Sequence, residues 1–144
     1  MEQRLSLITL GVADLQRARD FYEGVLGWKA APSPPGVAFF DLDGLVFSLF
    51  PHQELAKDAG LAPAAFAPYR GYALAHNLAS VAEVDTLFAN LEKHGVTIVK
   101  VPQKVFWGGY AGYFADPDGH LWEVAHNPFW TLREDGRISM VKES

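Results

Sequence analysis

The sequence predicts an α+β fold built from two copies of one strand–helix–strand–strand–strand unit. Three observations carry this reading. The same order of apolar patterns occurs twice within 144 residues. Each copy ends in two β-rich runs joined by an Asp-Gly pair, Asp43-Gly44 and Asp118-Gly119. Each copy also has one helical stripe closed by a glycine, Gly27 or Gly95. One helix covers one face of its sheet, so the other face needs a different partner. Two such units would curl their sheets around a shared cleft, or pair with units of another chain.

In the first copy, "LSLITLGV" is a β-rich apolar run. Asp14 then offers an N-cap, and Leu15, Ala18, Phe21, Tyr22, Val25 and Leu26 recur at helical spacing. "WKAA" reads as a short strand, and "GVAFFDLDGLVFSLF" as two strands around Asp43-Gly44, a pair suited to a tight hairpin. In the second copy "GYALAHNL" is a strand. Ser80 with Glu83 spells a capping box, followed by the stripe Val81, Val84, Leu87, Phe88 and Leu91. "VTIVKV" and the two halves of "YAGYFADPDGHLWEVAH" complete the unit. These elements divide the chain into a first module at 4–52, a linker at 53–69, a second module at 70–128 and a tail at 129–144. The stretch around it, "PHQELAKDAGLAPAAFAPYRG" at 51–71, is rich in Ala, Pro and Gly and has room for one short helix. Its Phe66 and Tyr69 are candidates to cover the mouth of a cleft. The tail carries "EDG", a turn that suits a small hairpin, and Phe129 and Trp130 are candidates for dimer contacts or for packing back on the sheets.

Composition narrows the function classes. Half the residues are apolar and 13% are aromatic, enough for a substantial core. A net charge of -5 argues against a nucleic-acid surface, which is normally basic. With no cysteine, the chain has no disulfide, thiolate metal site or thiol nucleophile. The opening residues lack the layout of a signal peptide, and no apolar run approaches the roughly 20 residues that span a bilayer. A cytoplasmic protein without a membrane partner is expected.

The internal repeat also sets a register. Aligning the two Asp-Gly pairs places Ser48 on Glu123, Phe47 on Trp122 and Leu49 on Val124. If the large apolar residues face the helices, Ser48 and Glu123 face the cleft. The same logic places Leu7 on Ala73, or on Tyr72 if the register slips by one residue. Glu123 is the anomaly, a carboxylate in an apolar strand that needs a cation, a donor or a proton. Asn77 should face the cleft and His76 the helix side. His126, three residues beyond Glu123, should point to the opposite face. His120 reads as a solvated residue after a turn. "DPDG" is better explained as a turn than as an acidic catalytic pair, because Pro fixes φ and the Asp side chains bond the turn backbone. "VFWGGYAGYF" puts Phe106, Trp107, Tyr110 and Tyr113 around Gly108-Gly109, where the backbone can bend or approach a ligand. Trp107, Tyr110 and Tyr113 are therefore candidate pocket residues.

Two stretches, "GVADLQRARDFYEGVLGW" and "GGYAGYFADPDGHLWEVAHNP", together with "LAHNLASVAEVDTLFANLEKHG", resemble the vicinal oxygen chelate superfamily of glyoxalases, bleomycin-resistance proteins and extradiol dioxygenases. The resemblance runs over roughly Leu5 to Pro128. It implies two βαβββ modules forming a cupped, open mixed β-barrel with helices outside, assembled as a homodimer. In metal-dependent members four side chains hold one divalent ion, and those positions fall on Leu7, Ser48, Ala73 (or Tyr72) and Glu123. Leu and Ala have no donor atom and a neutral Ser hydroxyl is weak, so only Glu123 is a competent ligand. The expectation is therefore a protein with no metal cofactor that binds a small molecule. Glu123 would be its base or anchor, and Ser48, Asn77, Trp107, Tyr110 and Tyr113 its other contacts. The alternative is an enzyme of lyase, isomerase or dioxygenase type acting on a small oxygenated substrate. It would work through a divalent ion, or with Glu123 as base and a Tyr or Asn stabilising an enolate. A subunit whose cleft takes no ligand is the third reading.

Overall fold

The structure is a computed structural model and describes residues 1, 3, 5–65, 67 and 69–140. Phe66 and the last four residues of the expected tail lie outside the described residues. The chain divides into two compact units, Met1–Arg70 and Gly71–Ser144.

The first unit opens with strand β1 (Leu7–Val12), and Asp14 caps the helix that follows by accepting the Arg17 amide at 3.0 Å. The helix is α-helical over Leu15–Arg19 (α1) and widens to a π-helix over Asp20–Val25. Phe21 and Tyr22 lie on its buried side, and Gly27 ends it at φ 72°. Strands β2 (Ala38–Asp41) and β3 (Val46–Pro51) follow, and helix α2 (His52–Asp58) closes the regular structure of this unit. The sheet order is β1-β3-β2, with β1 parallel and β2 antiparallel to β3. Asp43 (φ 57°) and Gly44 (φ 108°) make the two-residue turn between β2 and β3, a left-handed pair that Asp and Gly tolerate. Phe40 and Phe47 point at the helix, where Tyr22 and Trp28 meet them at ring separations between 5.0 and 6.2 Å.

The strand expected at "WKAA" does not form. Ala31 makes only an isolated bridge to Phe39, because Pro32, Pro34 and Pro35 remove the donors a ladder needs. Trp28 goes into the aromatic core instead.

The second unit keeps all four strands. They are β4 (Leu74–Asn77), β5 (Thr97–Lys104), β6 (Tyr110–Ala115) and β7 (Leu121–His126), in the order β4-β7-β6-β5. Helix α3 (Val81–Lys93) lies between β4 and β5, and its N-terminus carries the expected capping box. The Ser80 hydroxyl accepts the Glu83 amide at 3.2 Å, and the Glu83 carboxylate accepts the Ser80 amide at 3.1 Å. Val84, Phe88 and Leu91 are the buried stripe of α3, and Phe88 meets Phe114. Strand β5 is an edge strand with two register shifts against β6, and Pro102 falls within the second. The tail forms a small hairpin, β8 (Thr131–Leu132) with β9 (Ile138–Ser139). Among the described residues no helix is long and apolar enough to cross a membrane.

Candidate functional site

Alternation along β6 and β7 sorts the second unit into two faces. Trp122 and Val124 pair with Phe114 and Gly112 on the helix face. Glu123 pairs with Tyr113 on one side and Ala75 on the other, so these three share the face away from α3. Asn77 lies opposite Ala125 on that same face, where the sequence register places it.

A cavity of about 510 Å³ opens on this face. Its floor is small, with Ala75 and Ala125 flanking Glu123. Asn77 and Asn127 bring two amide groups to its edge. Trp107, Phe129 and Trp130 form its walls. Glu123 is half-buried, and among the described residues its carboxylate has one hydrogen-bond partner, the Tyr113 hydroxyl, which donates to Oε2 at 2.5 Å. That bond, with desolvation and the carboxylate's charge behind it, raises the Tyr113 pKa from 10.0 to about 12. Tyr113 is thus held as a neutral donor to Oε2 of Glu123.

Two glycines bring the aromatic walls to the cavity. Gly108 has φ 95°, and a Cβ there would press on the Phe129 ring. A Cβ on Gly109 would occupy the space of the Trp107 indole. The rings lie against bare backbone that any side chain would hold off. The Phe129 amide donates to Asn127 Oδ1 at 2.9 Å, a local turn that starts the tail back past the cavity.

Several expected positions change. Tyr110 is not a pocket residue: it pairs with His126 on the other face, and its hydroxyl donates to Asp85 of α3 at 2.6 Å. Ser48 does sit on the face opposite the aromatic core, pairing with Thr9 and Phe39, but it is 2% exposed and lies in the first unit. The described residues that line the cavity around Glu123 belong to the second unit. Ala73 lies just before β4, and Tyr72 turns to His120, whose Nδ1 is 2.7 Å from its hydroxyl. His120 is accordingly buried, at 3% exposure, rather than solvated. His76 pairs with Val124 on the helix side, as the register places it, and is exposed on the edge strand β4, with desolvation there lowering its pKa. His126 points away from Glu123, toward the Leu78 carbonyl. "DPDG" is a turn: Asp116 Oδ1 accepts the amides of Asp118 and His120 at 2.9 and 2.8 Å. Asn127 also contributes, and the two-residue period from Glu123 through Ala125 leads to it. Phe129 and Trp130, expected to make dimer contacts or to pack back on the sheets, line this cavity, although no strand pattern reaches them to say so.

The four positions at which the resemblance puts metal ligands hold Leu7, Ser48, Ala73 and Glu123. One carboxylate and one neutral hydroxyl fall short of the three protein ligands a catalytic ion usually takes, so these residues do not fit a divalent metal. Among the described residues no three His, Asp or Glu side chains gather closely enough to hold an ion elsewhere.

Residues 4–124 match the profile of the Glyoxalase/Bleomycin resistance protein/Dioxygenase superfamily. The chain belongs to this superfamily. Its fold agrees: a glyoxalase-related enzyme from Fulvimarina pelagi superposes with a TM-score of 0.86 at 34% identity, over 96% of this chain and 98% of that one. A lactoylglutathione lyase from Agrobacterium tumefaciens superposes at 0.70 with 26% identity, over 90% and 98%. In sequence, the metallothiol transferase FosB of Lysinibacillus sphaericus is 26% identical over 123 residues, 84% of this chain and 80% of that protein. The glyoxalase superfamily thus includes relatives with different named activities, and the family alone does not choose among them.

Proposed function

We propose that this protein binds a small organic molecule in the cavity beside Glu123, and does so without a divalent ion. The observation that carries this reading is Glu123, bonded by Tyr113, on the floor of an aromatic-walled hollow. A cavity of this size, mostly apolar with a few convergent polar groups, is the usual form of a small-molecule site. The ligand's flat or apolar body rests on Trp107, Phe129 and Trp130. Its donor group meets Glu123 Oε1, and the amides of Asn77 and Asn127 orient its edge. Metal-named relatives such as the metallothiol transferase do not transfer their ion to this chain, because the donor set is lacking.

A thermal-shift screen tests the reading. Small aromatic and dicarbonyl compounds should raise the melting temperature by mass action, and divalent metals alone should not. A metal that stabilises the chelator-treated protein at stoichiometric concentration, with no organic compound doing so, would contradict it. We further propose a homodimer, supported by exposed apolar residues on and beside edge strand β5, Val99, Val101 and Phe106. Sedimentation at micromolar concentration should give twice the monomer mass, and a monomer would refute it.

A further inference from the structure

The charge pattern of the cavity narrows its ligand. Among the described residues, Glu123 is the one charged side chain on its lining, and no Lys, Arg or His lines it. The walls are Trp107, Phe129 and Trp130, rings whose faces carry negative quadrupole charge. Phe129 and Trp130 remain 57% and 40% exposed. The one group that bonds Glu123 among the described residues is a neutral phenol, and Lys100, which pairs with Tyr113 on the same face, does not line the cavity. Three rings around one carboxylate repel anions and leave neutral ligands without a counterpart for that charge. A cation gains from both, through the ring faces and through the carboxylate.

We infer that the ligand is an organic cation, an alkyl- or arylammonium whose charged head sits between the aromatic walls and Glu123. This rests on the small-molecule reading above and names the class of molecule that the site takes. The Gly108–Gly109 pair supports the walls, since a Cβ at either position would meet the Phe129 or Trp107 ring. The protein's net charge of -5 adds a favourable long-range field.

Charge-matched probes test the inference by tryptophan fluorescence and calorimetry. Choline and benzyltrimethylammonium carry a charge that pH does not change. Their comparators are 3,3-dimethylbutan-1-ol, the neutral carbon isostere of choline, and phenylacetate, an anion. The ammonium probes should bind at least about ten-fold more tightly than the comparators. Their affinity should fall with added salt, and by about ten-fold or more in Glu123→Gln. Affinity for the neutral alcohol should fall far less in that variant than affinity for the cations, and circular dichroism checks that the variant is folded. If the alcohol or phenylacetate binds as tightly as the cations, the cation inference is overturned while the small-molecule site stands. If no probe of any charge binds at millimolar concentration, both readings are overturned.

Discussion

Tyr113 accounts for the carboxylate that interrupts the apolar run of β7. Its hydroxyl donates to Glu123, and the proton it gives is held more tightly than in an ordinary tyrosine. The sign follows directly. A raised phenol pKa favours the folded state below pH 10, and that contribution is lost as pH rises through about 12. Ultraviolet titration should therefore find Tyr113 ionising late, near pH 12, apart from the smaller upward shift that the Asp85 bond gives Tyr110. In Glu123→Gln the Tyr113 pKa should return toward the ordinary value, because the charge opposing the phenolate is gone. A Tyr113 that titrates with the exposed tyrosines in the parent protein would show that the pair does not form. Tyr110 makes a contrasting bond, to Asp85 on the helix face. Tyr110→Phe should cost under about 1 kcal/mol, the scale of an exposed hydrogen bond, and leave ligand affinity unchanged. A loss of affinity in that variant would place Tyr110 in the site after all.

At the scale of elements, alternation and capping were legible and packing was not. The two-residue period of β7 and β4 placed Glu123 and Asn77 on one face, and Ser80 with Glu83 announced the start of α3. Ser80→Ala should destabilise the protein by about 1 kcal/mol in denaturant melts. The strand at "WKAA" was misread because alternation says nothing of the donors that Pro32, Pro34 and Pro35 remove. Tyr110 departs from the expectation because strand parity divides the aromatic cluster around Gly108-Gly109 between two faces. His120 was misread because a histidine after a turn shows no sign in sequence of the distant Tyr72 that covers it. Two glycines separate stability from binding. A Cβ at Gly112 would come within 2.9 Å of the backbone at Lys100 and Pro102, atoms that cannot step aside. Gly112→Ala should cost about 1–3 kcal/mol. At Gly109 the obstacle is the Trp107 ring, which can swing away. Gly109→Ala should melt near the parent temperature yet bind ligand several-fold more weakly, because the displaced ring spoils the wall. Equal affinity in that variant would remove Trp107 from the site.

At the scale of the whole molecule, the two halves share an order of elements but not a content. The first has lost a strand and buries Ser48, while the second keeps four strands and sets Glu123 in a cavity. That divergence, together with Leu7 and Ala73 at the other ligand positions, is why this member of the superfamily is read as a binder that needs no ion. The four tryptophans divide in a way that exposes the claim to test. Trp107 and Trp130 line the cavity, while Trp28 and Trp122 belong to the packed aromatic cores of the two units. The most direct measurement is the NMR spectrum of their indole N–H groups in chelator-treated protein, titrated with the compound that stabilises it most. The account predicts that the Trp107 and Trp130 resonances move together and saturate while those of Trp28 and Trp122 stay in place. Movement that requires an added divalent ion, or that appears only at Trp28 and Trp122, would contradict it.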